Sequence, residues 1–257
     1  MALMPVLFIG HGNPMNAIVD NPYADGWKRL GESLPRPKAI LCISAHWYEP
    51  GGRVTGNLKP RTIHDFGGFP PALHAVQYPA PGSRELANRV KSLSPRPIEL
   101  DEKWGLDHGT WSVLRRMYPN ADVPIVQLGL DETMSGHEHF NFARCLRPLR
   151  DEDILIVGSG NVVHNLHAYS WGLEAREPYD WALRFEGQVK QLIEAGKGAE
   201  LANYEEMGKD AMLCAPTPDH FLPLLYVLAQ CDGGEKVSFP VEGFDDGSVS
   251  MLSVRIG

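Results

Sequence analysis

Four apolar residues in a row, Val6-Leu7-Phe8-Ile9, run straight into Gly10-His11-Gly12-Asn13-Pro14, and the same succession recurs twice further along the chain. A short uninterrupted apolar run suits a strand covered on both faces, as in a parallel sheet. Gly10 and Gly12 permit a sharp bend around His11, and Pro14 stops the strand from continuing. Ala39-Ile40-Leu41-Cys42-Ile43-Ser44-Ala45 repeats the pattern and ends at His46-Trp47. Ile154-Leu155-Ile156-Val157 does so again, passing through Gly158-Ser159-Gly160-Asn161-Val162-Val163 to His164. The first two runs are far enough apart for a crossover helix, so they can be parallel neighbours with their histidines on one rim. Open α/β sheets bind ligands at that carboxyl rim. The expectation is one α/β domain over residues 1–257, with a central, mostly parallel or mixed sheet and helices on both faces.

The segments between these strands fill in the frame. Helices are expected around Ala24–Leu30, over Ser83–Leu93 with Ser83 as N-cap, after Trp111, over Phe140–Leu149 and over Tyr179–Ala195. Pro124 to Leu130 reads as a further strand, and Val237–Phe239 with Ser250–Ile256 as a hairpin or sheet edge. Residues 50–81 are rich in glycine and proline and read as a long functional loop or lid. Residues 194–208 read as polar and mobile. Thr217-Pro218 reads as the start of an apolar helix, which places His220 in its first turn.

Bulk properties exclude several classes of function. The formal net charge is −8 and no lysine or arginine block is present, so nucleic acid is not an expected partner. No apolar run approaches the length of a membrane span, and Met1 to Pro5 has no basic leader, so a cytoplasmic protein without a membrane partner is expected. Four scattered cysteines, Cys42, Cys145, Cys214 and Cys231, form no CxxC pair and suit a reducing compartment.

The histidines carry the chemistry. His11, His46 and His164 follow buried strands, and His220 opens a buried helix. Neutral imidazole is a common metal ligand, and several strand ends can bring such rings onto one ion. No compact motif of the HExxH type is present. His108, between Asp107 and Gly109 and flanked by tryptophans, reads as a pocket wall; His64, beside Asp65, ranks below it. His74, His167 and the run His137-Glu138-His139 read as ordinary surface or solvated side chains.

Gly10-His11-Gly12-Asn13-Pro14-Met15, Ser44-Ala45-His46-Trp47, Ile63-His64-Asp65-Phe66-Gly67-Gly68-Phe69-Pro70, Gly105-Leu106-Asp107-His108-Gly109-Thr110-Trp111 and Gly158 to Leu166 together closely resemble the 4,5-DOPA extradiol dioxygenase family. That family lies among the class III extradiol ring-cleavage dioxygenases, related to the catalytic subunit of protocatechuate 4,5-dioxygenase. The resemblance spans essentially the whole chain. It implies a ring-cleaving oxidoreductase that chelates a DOPA-like catechol on one non-haem divalent metal, Fe(II) for ring cleavage or Zn(II) as bound, and inserts both atoms of O2. It further implies His11 and His46 as metal ligands, His164 as the acid–base residue and His108 as a second catalytic histidine that helps hold substrate or oxygen. Where the protocatechuate enzymes place a glutamate, His220 in Pro218-Asp219-His220-Phe221 looks like the third ligand. His164 could complete a four-histidine zinc site. His64, Phe66 and Asp107 are expected at the substrate, with Phe69 helping to cover the ring. Two alternatives stay open: a zinc-dependent hydrolase or hydratase, and a non-catalytic metal-binding protein on the same fold.

Overall fold

Alternation along three adjacent strands builds the core. The structure, a computed structural model, describes residues 3–171 and 177–257; Met1 and Ala2 of the N-terminal stretch read above lie outside the described residues. The strands are β1 (Val6–Gly10), β2 (Ala39–Glu49), β3 (Gly52–Thr55), β4 (Ile98–Asp101), β5 (Ile125–Asp131), β6 (Ile154–Gly160), β7 (Val237–Ser238), β8 (Phe244–Asp245), β9 (Val249–Ser250) and β10 (Ser253–Ile256). The α-helices are α1 (Pro22–Ser33), α2 (Pro71–His74), α3 (Arg84–Leu93), α4 (His108–Met117), α5 (Gly136–Ala143), α6 (Asp180–Glu194), α7 (Lys209–Cys214) and α8 (Leu222–Leu228). Eight strands form one sheet in the order β4-β3-β5-β2-β6-β1-β10-β7. Its centre, β5-β2-β6-β1, is parallel, and the edges add antiparallel pairs, so the sheet is mixed.

Successive side chains of a strand point to opposite faces. Val6 and Phe8, Leu41 and Ile43, and Ile156 pack on one face beneath α3, α5, α6 and α8. Leu7 and Ile9, Ile40 and Cys42, and Leu155 and Val157 pack on the other, against Trp27 and Leu30 of α1 and Trp111 and Leu114 of α4. Burial on both faces explains why these runs carry no polar alternation.

Several expectations need correction. β1 and β2 are not neighbours, because β6 inserts between them. The two histidines still share a rim, since all three strands are parallel. β2 does not end at His46 but runs on to Glu49, with a register shift between Ile43 and Tyr48. Such an irregularity re-aims side chains, here those of Ser44 to Trp47. Residues 50–81 are not wholly irregular, for they contain β3 and the short α2. The helix expected over Phe140–Leu149 is α5 followed by a 3-10 segment, Arg144–Glu152, that carries Pro148. His137-Glu138-His139 lies within α5, and His139 is fully buried, paired through Nδ1 with the Tyr226 hydroxyl at 2.9 Å. The segment expected to be mobile holds a 3-10 helix, Gly198–Met207, that buries Leu201, Ala202 and Tyr204. Residues 217–221 form a turn and α8 begins one turn later than expected, with Phe221 at its N-cap.

α6 carries a buried acid behind the sheet. Burial pushes the Glu186 carboxyl up to about 7, against the opposing pull of the Ser250 hydroxyl and Lys190. Unfolded, a glutamate ionises near 4.3; folded, this one keeps its proton longer. Stability from this group is therefore complete below about pH 4 and is lost as pH rises to 7, a loss of about 3 kcal/mol. Glu186→Gln is expected to flatten that part of the pH–stability curve and to be more stable than the parent chain at pH 7.5. Urea melts of both proteins from pH 4 to 8 measure the difference.

Candidate active site

The carboxyl ends of β1, β2 and β6 open into a cavity of about 260 Å3. His11 follows β1 directly, and its backbone N–H donates to the Gly160 carbonyl at the end of β6, at 3.1 Å. Gly12 then takes φ +54°, a turn that a side chain would strain. His46 projects from the irregular stretch of β2. His108 is the first residue of α4, whose N-cap Asp107 accepts from the Thr110 N–H. The turn carrying His220 presses its backbone onto the end of β6. The Asn161 N–H donates to the His220 carbonyl at 2.9 Å, and a side chain at Gly160 would overlap that same oxygen. A residue without a Cβ is therefore what admits His220 to the rim.

Polar partners at Nδ1, two of them hydrogen-bonded, orient three of these rings. The Ser159 hydroxyl donates to the Gly109 carbonyl at 2.6 Å, so it can only accept from His11 Nδ1, 3.0 Å away. The proton of His11 thus sits on Nδ1 and the lone pair on Nε2. His46 Nδ1 lies 3.3 Å from the Asp65 carboxylate, and His220 Nδ1 donates to Asp219. Both arrangements again leave Nε2 with the lone pair. Partners of this kind on the far nitrogen fix the tautomer of metal-binding histidines.

The freed nitrogens converge. His11 Nε2 and His46 Nε2 are 3.2 Å apart, two lone pairs face to face. His220 Nε2 is buried and has no hydrogen-bond partner among the described residues. One ring nitrogen from each of the three residues lies within 4.8 Å of the others. Such a cluster is electrostatically unfavourable until a cation occupies it, so the donor set fits a divalent metal. Burial, then the nearby His220 and His108 rings, hold His11 well below the ordinary histidine range; burial, then His108 and His11, do the same for His46. Neutral imidazole is the form that binds metal. Burial opposes ionisation of Asp219, yet its bond to His220 keeps it well below the usual carboxylate range.

His164 stands apart from this cluster. Its ring stacks on His220, with centroids 3.5 Å apart and planes within 5°. Burial, then His220, lower its pKa well below the ordinary value, although Asp219 pulls the other way.

A family model for the catalytic LigB subunit of aromatic ring-opening dioxygenase matches residues 4–251. This chain belongs to that family.

Membership makes it an aromatic ring-opening dioxygenase, an oxidoreductase whose family works with a non-haem metal. The chain is 51% identical over 259 residues to the 4,5-DOPA dioxygenase extradiol of Escherichia coli K12, covering 99% of this chain and 95% of that protein. It is 36% identical to the enzyme of the same name from Beta vulgaris, covering 96% and 94%. A crystal structure of an uncharacterized Escherichia coli K12 protein superposes with a TM-score of 0.85 at 46% identity, covering 99% of this chain and all of that one. Among the described residues no helix is long and apolar enough to cross a membrane.

Not every expected site residue of this LigB-family chain reaches the cavity. His11, His46, His108, His164 and His220 all line it, with Phe66 and Phe69. Asp107 does not. Its carboxylate is wholly buried, accepting from Ser44, Thr110 and Gln127, so it anchors the start of α4. His64 also stays out: its Nε2 bonds the Val76 carbonyl at 2.9 Å, and its ring backs Phe66 and Trp111. Sequence reasoning missed Asp65, Asp219 and Ser159 as orienting groups, and Asn13, Tyr169 and Trp171 as wall. Asp65 was noticed only as a neighbour of His64, yet it points to His46 and His108 instead. Tyr169 and Trp171 follow the His164 motif by a few residues, and nothing in their spacing marked them.

Proposed function

We propose that His11, His46 and His220 hold one divalent metal, Fe(II) in the active form, and that the enzyme cleaves the ring of a DOPA-like catechol with O2. What carries the reading is the meeting of three Nε2 lone pairs beside a separate stacked histidine, His164, in one cavity. The set of three neutral imidazoles differs from the two-histidine, one-carboxylate triad and leaves the full charge of the ion to meet an anionic diol. When bound, such a metal supplies two-point chelation of vicinal oxygens and an electron path between ring and oxygen. The names of the Escherichia coli and Beta vulgaris relatives support DOPA as the substrate class. A cavity of about 260 Å3, below the roughly 300–1,000 Å3 typical of drug-sized sites, suits a substrate with one ring.

The roles of the chain follow from position. His164, neutral at pH 7, takes the proton of a catechol hydroxyl as it ionises and later returns it as general acid when the O–O bond breaks, both oxygen atoms staying in the ring-opened product. His108 meets the substrate or oxygen from its place beside His46, their ring centroids 3.9 Å apart. Phe66, Phe69, Tyr169 and Trp171 line the same cavity and offer the ring aromatic surface. We assign the whole of residues 1–257 to this one domain. The cysteines, all free, support a cytoplasmic setting.

Anaerobic loading with Fe(II), followed by L-DOPA or catechol and air, tests the reading. A coloured ring-opened product with one O2 consumed per substrate is expected. Turnover that requires Zn(II) and consumes no O2 overturns it in favour of a hydrolase, and absence of turnover with either metal favours a binding protein.

A further inference from the structure

We propose that Asp65 is a positioning residue of this reaction, one carboxylate that sets the tautomers of His46 and His108 together and ties both to the cavity wall. The proposal rests on the metal-holding role given to His46 above. Asp65 Oδ1 accepts from the backbone N–H of His108 at 2.9 Å, and Oδ2 lies 3.0 Å from His108 Nδ1 and 3.3 Å from His46 Nδ1. Two N–H groups of His108 in α4 thus donate to this carboxylate, and His46 Nδ1 of β2 stands at ion-pair distance from the same oxygen. The carboxylate is about one-fifth exposed (20%), so it is held in place by these donors rather than left in solvent.

Two consequences follow. An ionised carboxylate only accepts, so the His108 Nδ1 bonded to it carries a proton, and its charge at 3.3 Å favours the proton on His46 Nδ1 as well. His46 is left with its lone pair on Nε2, beside His11 Nε2, and His108 is left with an accepting Nε2 on a residue that lines the cavity. His108 in this tautomer receives a hydrogen bond from a substrate hydroxyl rather than donating one to oxygen. Asp65 also precedes Phe66 directly, and the Phe66 ring packs on Phe69 at 5.3 Å, His74 at 5.1 Å and His108 at 5.5 Å between centroids. One side chain therefore registers the aromatic wall against the metal-side histidines.

Asp65→Asn keeps the shape and removes the charge and one acceptor. Zn(II) affinity, measured by competition with a chromophoric chelator and needing no turnover, is expected to fall about 10–100-fold, the usual loss when the partner of a metal-binding histidine is removed. In the Fe(II) enzyme kcat should fall at least as far, with KM changing less. In metal-free protein labelled with 15N-histidine, the ring signal of His46 should move from a single Nδ1–H tautomer to a mixture. The loss of Zn(II) affinity should persist in a His108→Ala background, because it runs through His46. Wild-type Zn(II) affinity and wild-type tautomer in Asp65→Asn overturn the proposal, as does a lowered melting temperature with affinity and kcat unchanged. If the parent chain shows no ring cleavage at all, the metal and NMR readouts still decide the role of Asp65, so that failure belongs to the proposed function alone.

Discussion

Replacing His164 by alanine is expected to lower kcat for catechol cleavage by about 10²–10⁴-fold, the range supplied by one positioned acid–base group, while the bound metal stays. The division rests on geometry. The nitrogens that gather within 4.8 Å come from His11, His46 and His220, whereas His164 lies parallel to His220 with 3.5 Å between ring centroids. A ring stacked on a ligand is close enough to reach the substrate without sharing the ion. Single-turnover kinetics and metal analysis of the variant read the two effects separately. If His164→Ala loses its metal along with its activity, His164 is a ligand and the four-histidine arrangement holds instead.

His220→Ala is expected to abolish tight metal binding and, with it, oxygen uptake. When a complete site binds with a free energy on the order of 10–16 kcal/mol, each of three ligands supplies several kcal/mol. Loss of one then corresponds to roughly 10³-fold or more in affinity. His220 is the sharpest choice because a carboxylate stands beside it. If Asp219 were the third ligand, as a glutamate is in the protocatechuate enzymes, metal would survive the substitution. Asp219 instead accepts from His220 Nδ1, which turns the unpartnered Nε2 toward the cluster. Equilibrium dialysis with Zn(II), followed by reconstitution with Fe(II), measures the outcome.

Much of the fold was legible because long apolar runs and helix caps act locally. The strands at Val6, Ile40, Ile125 and Ile154 and the Ser83 cap of α3 all lie where pattern places them, with Ser83 accepting from the Leu86 N–H at 3.1 Å. Short edge elements such as β3 and β4 were not legible, since four residues of mixed polarity are strands only because β5 offers β3 an edge and β3 in turn offers one to β4. His139 misled for the same reason: its neighbours in sequence are polar, but α5 turns it inward to Tyr226. Asp107 and His64 misled in another way. Adjacency to a pocket residue does not say which way a side chain points, and both point away from the cavity into hydrogen bonds of their own.

The chain's sequence alone determined that buried parallel strands would carry or lead into histidines on one rim, though not where each strand stops, because residue type and strand period are local properties. Only the tertiary structure decided which of the rings meet. Insertion of β6 between β1 and β2, close seating of the His220 turn against Gly160, and the placing of Ser159 at His11 and of Asp65 at His46 bring together segments apart in the chain; Asp219, next to His220, is the one local partner. They turn three lone pairs to one point and leave His164 beside them, an arrangement of directions that no spacing along a chain encodes.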